Sequence, residues 1–140
     1  MNKKFFKILF LIFIFPNILF AKSEYVKEGI NLFNANKLDE AKFKFEQDIV
    51  FNPKNELSYL YLSRIFNKQD KKELEEKNLN TVMLLNPRNE DAIYYLARLK
   101  LSSSDYKKSK ELNKRLKTLC NNLCRESDKL RIEIENLSKQ

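Results

Sequence analysis

Apolar side chains along this chain recur at helical intervals. Ala41, Phe45 and Ile49 stand at i, i+4 and i+8, and Tyr59, Leu62 and Phe66 at i, i+3 and i+7. Ile93 and Leu96 start the second pattern again, with Lys100 where its third apolar residue belongs. Such spacing puts each set on one face of an amphipathic helix. Near the end, Leu130, Ile134 and Leu137 sit at i, i+4 and i+7 among Lys129, Arg131, Glu133 and Glu135, which predicts one more helix. Strand-like alternation is not sustained anywhere. The stripes read as plain core and not as a cofactor pocket.

The first residues follow a different rule. Lys3, Lys4 and Lys7 precede an apolar run from Ile8 to Phe20, broken only by Pro16 and Asn17. Ala21 then gives way to Lys22, Ser23 and Glu24. A basic start, a short apolar core and a small residue at its end make a secretory leader, with cleavage expected between Ala21 and Lys22. A membrane span needs about 20 apolar residues, more than this run supplies. Leu19 fits the position two before Ala21 imperfectly, so an uncleaved anchor stays open as the alternative. The expected location is therefore the periplasm or cell envelope.

Composition narrows the chemistry. The chain has 140 residues, no His and one Gly, with 27 Lys and Arg against 19 Asp and Glu for a formal charge of +8. Without His there is no imidazole metal site and no His-dependent nucleophile, and one Gly argues against Gly-rich phosphate loops. No carboxylate pair stands in an apolar setting that would tune it for acid–base work. No catalytic residue, metal or cofactor is expected, and the chain does not read as an enzyme. The basic balance does not point to nucleic acid, which an exported protein seldom meets, and the lysines alternate with acids as on solvated helix faces.

A repeat organises the rest. Phe51-Asn52-Pro53-Lys54-Asn55-Glu56 returns as Leu85-Asn86-Pro87-Arg88-Asn89-Glu90, with a period of 34. That period belongs to helix–turn–helix units, each of which buries a face only by stacking on its neighbour. Asn52 and Asn86 precede proline and are expected to end helices, while Asn55 and Asn89 are expected to cap the next ones ahead of first-turn acids.

In this frame the chain resembles the tetratricopeptide repeat family. Tyr25, Gly29, Leu32, Ala41, Phe45 and Pro53 fall on its signature positions in residues 22–55, and Tyr59, Leu62, Ser63, Phe66, Leu79 and Pro87 in residues 56–89. Residues 90–123 keep Ile93, Leu96, Ala97, Tyr106 and Leu116. Glu75 departs from the pattern where a small residue is usual, Ser109 holds the small position, and Asn121 replaces a proline. The resemblance implies an all-α, right-handed superhelix of about three helix pairs, with residues 124–140 as a capping helix. It also implies that the first helix of each pair lines a partner-binding groove. Carried over, that groove comprises Ile30, Phe33 and Asn34, then Leu60, Arg64, Asn67 and Lys68, then Tyr94 and Arg98. Arg64 and Arg98, one period apart beside Tyr94, are candidates to grip carboxylates, against the plainer reading that they pair with Glu90 or Asp91. Val26 and Ile30 stand where chaperone-tail readers of the family carry a Lys and Asn carboxylate clamp, so that clamp is missing.

Cys120 and Cys124 are the only cysteines and lie where the third repeat turns into the capping helix. In an exported chain an even pair reads as one disulfide, and Cα atoms four residues apart around a turn come within bridging range. The reading as a whole is an exported protein-interaction module that holds a peptide or helix of an envelope partner. The alternative is a self-associating structural protein of the envelope, attached to the membrane only if the leader persists.

Overall fold

The computed structural model describes residues 16–139. Most of the expected leader lies outside them. Seven helices run through the described residues, with no strand among them: α1 (Pro16–Asn34), α2 (Leu38–Phe51), α3 (Glu56–Lys68), α4 (Lys72–Leu85), α5 (Glu90–Ser102), α6 (Tyr106–Leu119) and α7 (Cys124–Leu137). They form two compact units, divided after Asn55. None of the helices is long and apolar enough to cross a membrane.

In the first unit α1 packs on α2. Gly29 lies against the buried ring of Phe45, and a Cβ at that position would come within 2.8 Å of Phe45 Cε1. The bare Cα is what lets the two helices approach. Phe33 and Ala41 complete this core, and Tyr25 stacks on Phe51 at 5.8 Å between ring centroids. At the end of α2 the buried Asp48 carboxylate accepts a 2.7 Å hydrogen bond from Asn55 Nδ2.

In the second unit α3 packs on α4, α4 on α5, α5 on α6, and α7 closes against α6 and the edge of α5. One contiguous core runs through it, from Leu60, Leu79 and Val82 through Ile93, Leu96 and Leu116 to Leu130 and Ile134. The last two are the tail positions expected to dock. Buried Ser127 adds a polar lock the periodicity did not show: Asn113 Nδ2 donates to the Ser127 carbonyl at 3.0 Å, and Ser127 Oγ donates to Asn113 Oδ1 at 3.0 Å. Ser109, at the small position of α6, donates from Oγ to the Ala97 carbonyl at 2.8 Å, so two small residues meet at the α5–α6 crossing. Lys100 breaks the apolar stripe of α5 because its ammonium pairs with Glu76 of α4 at 2.6 Å.

The turns within the pairs repeat as closely as the helices. Asn36, Asp70 and Ser104, each one period apart, have φ of 58°, 53° and 59°. The next N–H in each case, from Lys37, Lys71 or Asp105, donates 2.9 Å to the carbonyl of Leu32, Phe66 or Lys100. That is a helix C-terminus closed by a left-handed residue, here built without glycine. Between pairs, Asn52 and Asn86 end their helices through N–H bonds to the Asp48 and Val82 carbonyls, and the Asn89 side chain caps α5 by accepting from the Ala92 N–H at 2.9 Å.

Three substitutions at two positions test this packing by urea unfolding. Gly29→Ala should cost about 1–3 kcal/mol, the usual toll of forcing a methyl into a filled core. Ser104→Gly should gain up to about 1 kcal/mol, and Ser104→Val should lose about as much, because a β-branched residue resists positive φ. A neutral Gly29→Ala, or a neutral Ser104→Val, would contradict the account.

Candidate functional site

The first helices of the second unit, α3 and α5, carry a repeated tetrapeptide: Tyr61-Leu62-Ser63-Arg64 returns one period later as Tyr95-Leu96-Ala97-Arg98. In each, the Leu and the small residue turn inward, which leaves Tyr and Arg at the surface. The Arg64 guanidinium lies over the Tyr61 ring at 5.0 Å and faces Tyr95 of α5 at 6.0 Å. Tyr95 meets Tyr94 edge-on at 5.6 Å. A guanidinium stacked on an aromatic face keeps its N–H donors in its own plane, and that planar fork matches carboxylate geometry. Asp91 stands on the same helix, its carboxyl pushed above the usual range by desolvation while the Arg64 charge pulls it back and Glu90 adds to the rise.

The other sequence-derived positions divide sharply. In the first unit Ile30 is half-buried and Asn34 is exposed, but Phe33 is core. In the second unit Leu60 is core as well, and Lys68 is exposed at the end of α3. Phe33 and Leu60 are each only 7% exposed, so most of their side-chain surface packs into the core. Asn67 is exposed, but its Nδ2 donates to both oxygens of Glu75 at 3.2 Å. This explains the departure at Glu75: the residue is buried where a small one is usual, and Asn67 reaches in to satisfy its carboxylate. Arg98 does not join Arg64, nor does it pair with Glu90 or Asp91. It binds Glu133 of α7 at 2.8 Å, so the capping helix has taken it. Tyr61 and Tyr95 stand beside Arg64 as well, and the twice-written Tyr-Leu-small-Arg is the sequence signal for them.

Glu90 has another task. Its carboxylate accepts the backbone N–H groups of Asn121 at 2.8 Å, Asn122 at 3.1 Å and Leu123 at 3.0 Å. These three residues form the turn that lacks the family's proline, and the Cys120–Cys124 disulfide spans it with Cα atoms 5.2 Å apart. Glu56, one period earlier, likewise reaches forward to Asn86 Nδ2 at 3.1 Å. The backbone bond from Leu123, foremost, holds the Glu90 carboxyl below its usual value despite some desolvation. Burial pushes the Glu75 carboxyl the other way, only partly offset by Asn67. No group of three or more His, Cys, Asp or Glu among the described residues is placed to hold a metal ion.

Helix pairs on a 34-residue period, stacked face to face within the second unit, define a helix-pair solenoid. No family model matches the chain, and no curated protein matches it in sequence. Solved structures do. The TPR2B domain of yeast Sti1, solved as a pHsp70 complex, superposes with a TM-score of 0.79 at 16% identity, over 84% of this chain and 98% of that one. The first TPR of Spaghetti (RPAP3), bound to the HSP90 peptide SRMEEVD, gives 0.75 at 18% identity, over 84% and 94%. The Yersinia enterocolitica type III secretion chaperone SycD, with a peptide of the translocator YopD, gives 0.75 at 13% identity, over 84% and 94%. The fold of this chain is the all-α solenoid of tetratricopeptide-repeat domains.

The two perturbed carboxylates predict opposing pH effects on stability. Glu90, with its pKa lowered, contributes stability that is present above the unfolded value of 4.5 and lost as pH falls through the folded one. Glu75, with its pKa raised, opposes folding at neutral pH and ceases to do so as pH falls through its folded value. Glu75→Gln should therefore raise the urea midpoint near neutrality, and Glu90→Gln should lower it there and flatten its decline in acid. Midpoints measured between about pH 3 and pH 7 decide both signs.

Proposed function

We propose that this chain is an exported protein-interaction module whose second unit holds an acidic, partly apolar peptide segment on the α3–α5 surface. The observation that carries this is the half-exposed Arg64 between Tyr61 and Tyr95. The guanidinium supplies directed donors for a carboxylate, and the rings supply stiff apolar area at little entropic cost. The solved complexes with pHsp70, with an HSP90 peptide and with a YopD peptide support the reading, since that fold is there met by protein or peptide partners. Recognition of a chaperone tail is not part of the proposal, because Val26 and Ile30 occupy the clamp positions and both are half-buried and apolar. Binding is the role proposed, in a chain that has no His.

The envelope or periplasm is the proposed location. The basic-then-apolar start supports it, and so does a disulfide in a chain with only two cysteines. The repeat frame adds a further argument. Helices α3 and α5 begin at Glu56 and Glu90, so the same frame begins the first repeat at Lys22, the first residue after the expected cut. α1 itself begins at Pro16, so removal of residues 1–21 would shorten this helix while leaving the frame of residues 22–55.

Two experiments test the two halves of the proposal. Selection from a displayed peptide library on residues 22–140 should enrich segments with an acid next to apolar residues, and Arg64→Glu should weaken the selected peptides at least about tenfold. Equal binding by Arg64→Glu would remove the site. A defined oligomer by light scattering, with no peptide enriched, would favour the self-associating structural protein instead. N-terminal sequencing of protein recovered from envelope and periplasmic fractions should read Lys22-Ser23-Glu24, whereas an intact Met1 would mean a retained anchor.

A further inference from the structure

The α3–α5 surface is not the best place to look for the basic excess of the chain. In α6, Lys107, Lys110, Lys114 and Lys117 stand at i, i+3, i+7 and i+10, a straight line along one face of a helix. All four are exposed, while Ser109, Leu112, Asn113 and Leu116 turn inward. Like charges three and four residues apart cost helix stability, and α6 offers only Glu111 as relief, which pairs with Lys108 at 2.9 Å.

This line borders a groove of about 330 Å³ between α6 and α7. The two acids on its α7 wall are already engaged: Asp128 with Lys117 at 2.8 Å and Glu135 with Arg131 at 2.8 Å. Lys110 and Lys114 also line the groove, and neither has an ion-pair partner among the described residues. The groove thus keeps two uncompensated positive charges at helical spacing. Its floor includes the side chain of Ile134, and its polar floor groups, Asn113 and Ser127, satisfy each other. A ligand therefore finds cationic donors along one rim and an apolar spot below, with no orphaned polar group at the bottom to be met.

We infer that the α6–α7 groove is a second docking surface, which takes an acidic amphipathic helix of a partner protein, its carboxylates along the lysine line and one aliphatic side chain over Ile134. Charge complementarity names the occupant, and the helical spacing of the lysines matches carboxylates on one face of a helix. A protein segment fits better than an anionic bilayer. Asp128 and Glu135 line the same groove as the lysines, and a flat anionic surface laid on the lysines would press on those acids as well.

The probe is a labelled helical peptide with glutamates at i, i+3, i+7 and i+10 and a leucine on the adjoining face, with a control in which every glutamate is glutamine. Residues 22–140 should bind the glutamate peptide at low salt and lose it steeply as salt rises. The glutamine peptide, and the double variant Lys110→Glu, Lys114→Glu on the protein side, should each bind at least about tenfold more weakly. Lys110→Gln, Lys114→Gln should show an intermediate loss, and thermal unfolding should find both variants folded, since neither side chain is buried. All of these measurements are made in the Arg64→Glu background, where the α3–α5 site is disabled, so that the binding read belongs to the α6–α7 groove and failure here is distinct from failure of the α3–α5 site. Equal affinity for the two peptides, full retention by the double variant, or binding only to phosphatidylglycerol vesicles would overturn the inference, the last in favour of a membrane surface.

Discussion

Everything in this fold depends on how closely the two helices of a pair can approach. A helix pair buries one face only against another helix, and the distance is set by the side chains at the crossing. In the first unit Gly29 yields that space outright, and the ring of Phe45 fills it. At the α5–α6 crossing Ala97 and Ser109 do the same with a hydrogen bond between them. Between α3 and α4 the rule is broken, because Glu75 stands where a small residue would. The chain accommodates it by spending Asn67 on its carboxylate. The exception therefore reaches the surface: the exposed Asn67 at the end of α3 has its Nδ2 committed to Glu75.

The hinges between pairs show the same exchange of one device for another. Pro53 and Pro87 stop their helices by geometry alone. After α6 there is no proline, and the turn is held by Glu90 reaching across from α5 to three consecutive N–H groups, with the disulfide beside it. Since that turn aims α7, the departure from the repeat pattern is also what positions the capping helix. The cap in turn takes Arg98 through Glu133. Two copies of one pattern thus end in different states, one arginine lying over aromatic rings and the other tied to the last helix.

Much of this was legible in the residues. The period between the Asn-Pro pairs marked the repeats, the i, i+4 and i+7 stripes marked core faces, and the tail stripe marked a docking helix. The site was less legible. Phe33 and Leu60, expected along a groove, are mostly buried, because position in a repeat does not say how much of a side chain its neighbours cover. Asn67 and Arg98 were indistinguishable in sequence from free polar residues, since their partners lie 8 and 35 residues away. The turn positions Asn36, Asp70 and Ser104 share a conformation that no single residue type announced.

The sequence alone determined the helical class, the 34-residue unit, the hinges and the cysteine pair, because each rests on spacing or on the local preferences of Pro, Asn and Cys. Tertiary structure decided which charged side chains remain available. It closed Asn67 on Glu75 and Arg98 on Glu133, brought Tyr95 of the next pair to Arg64, and set α7 beside the lysine line of α6 to make a groove. The reason is physical: backbone preference acts within a turn or two, whereas a charge is satisfied by whatever the packing of helices brings within hydrogen-bond reach.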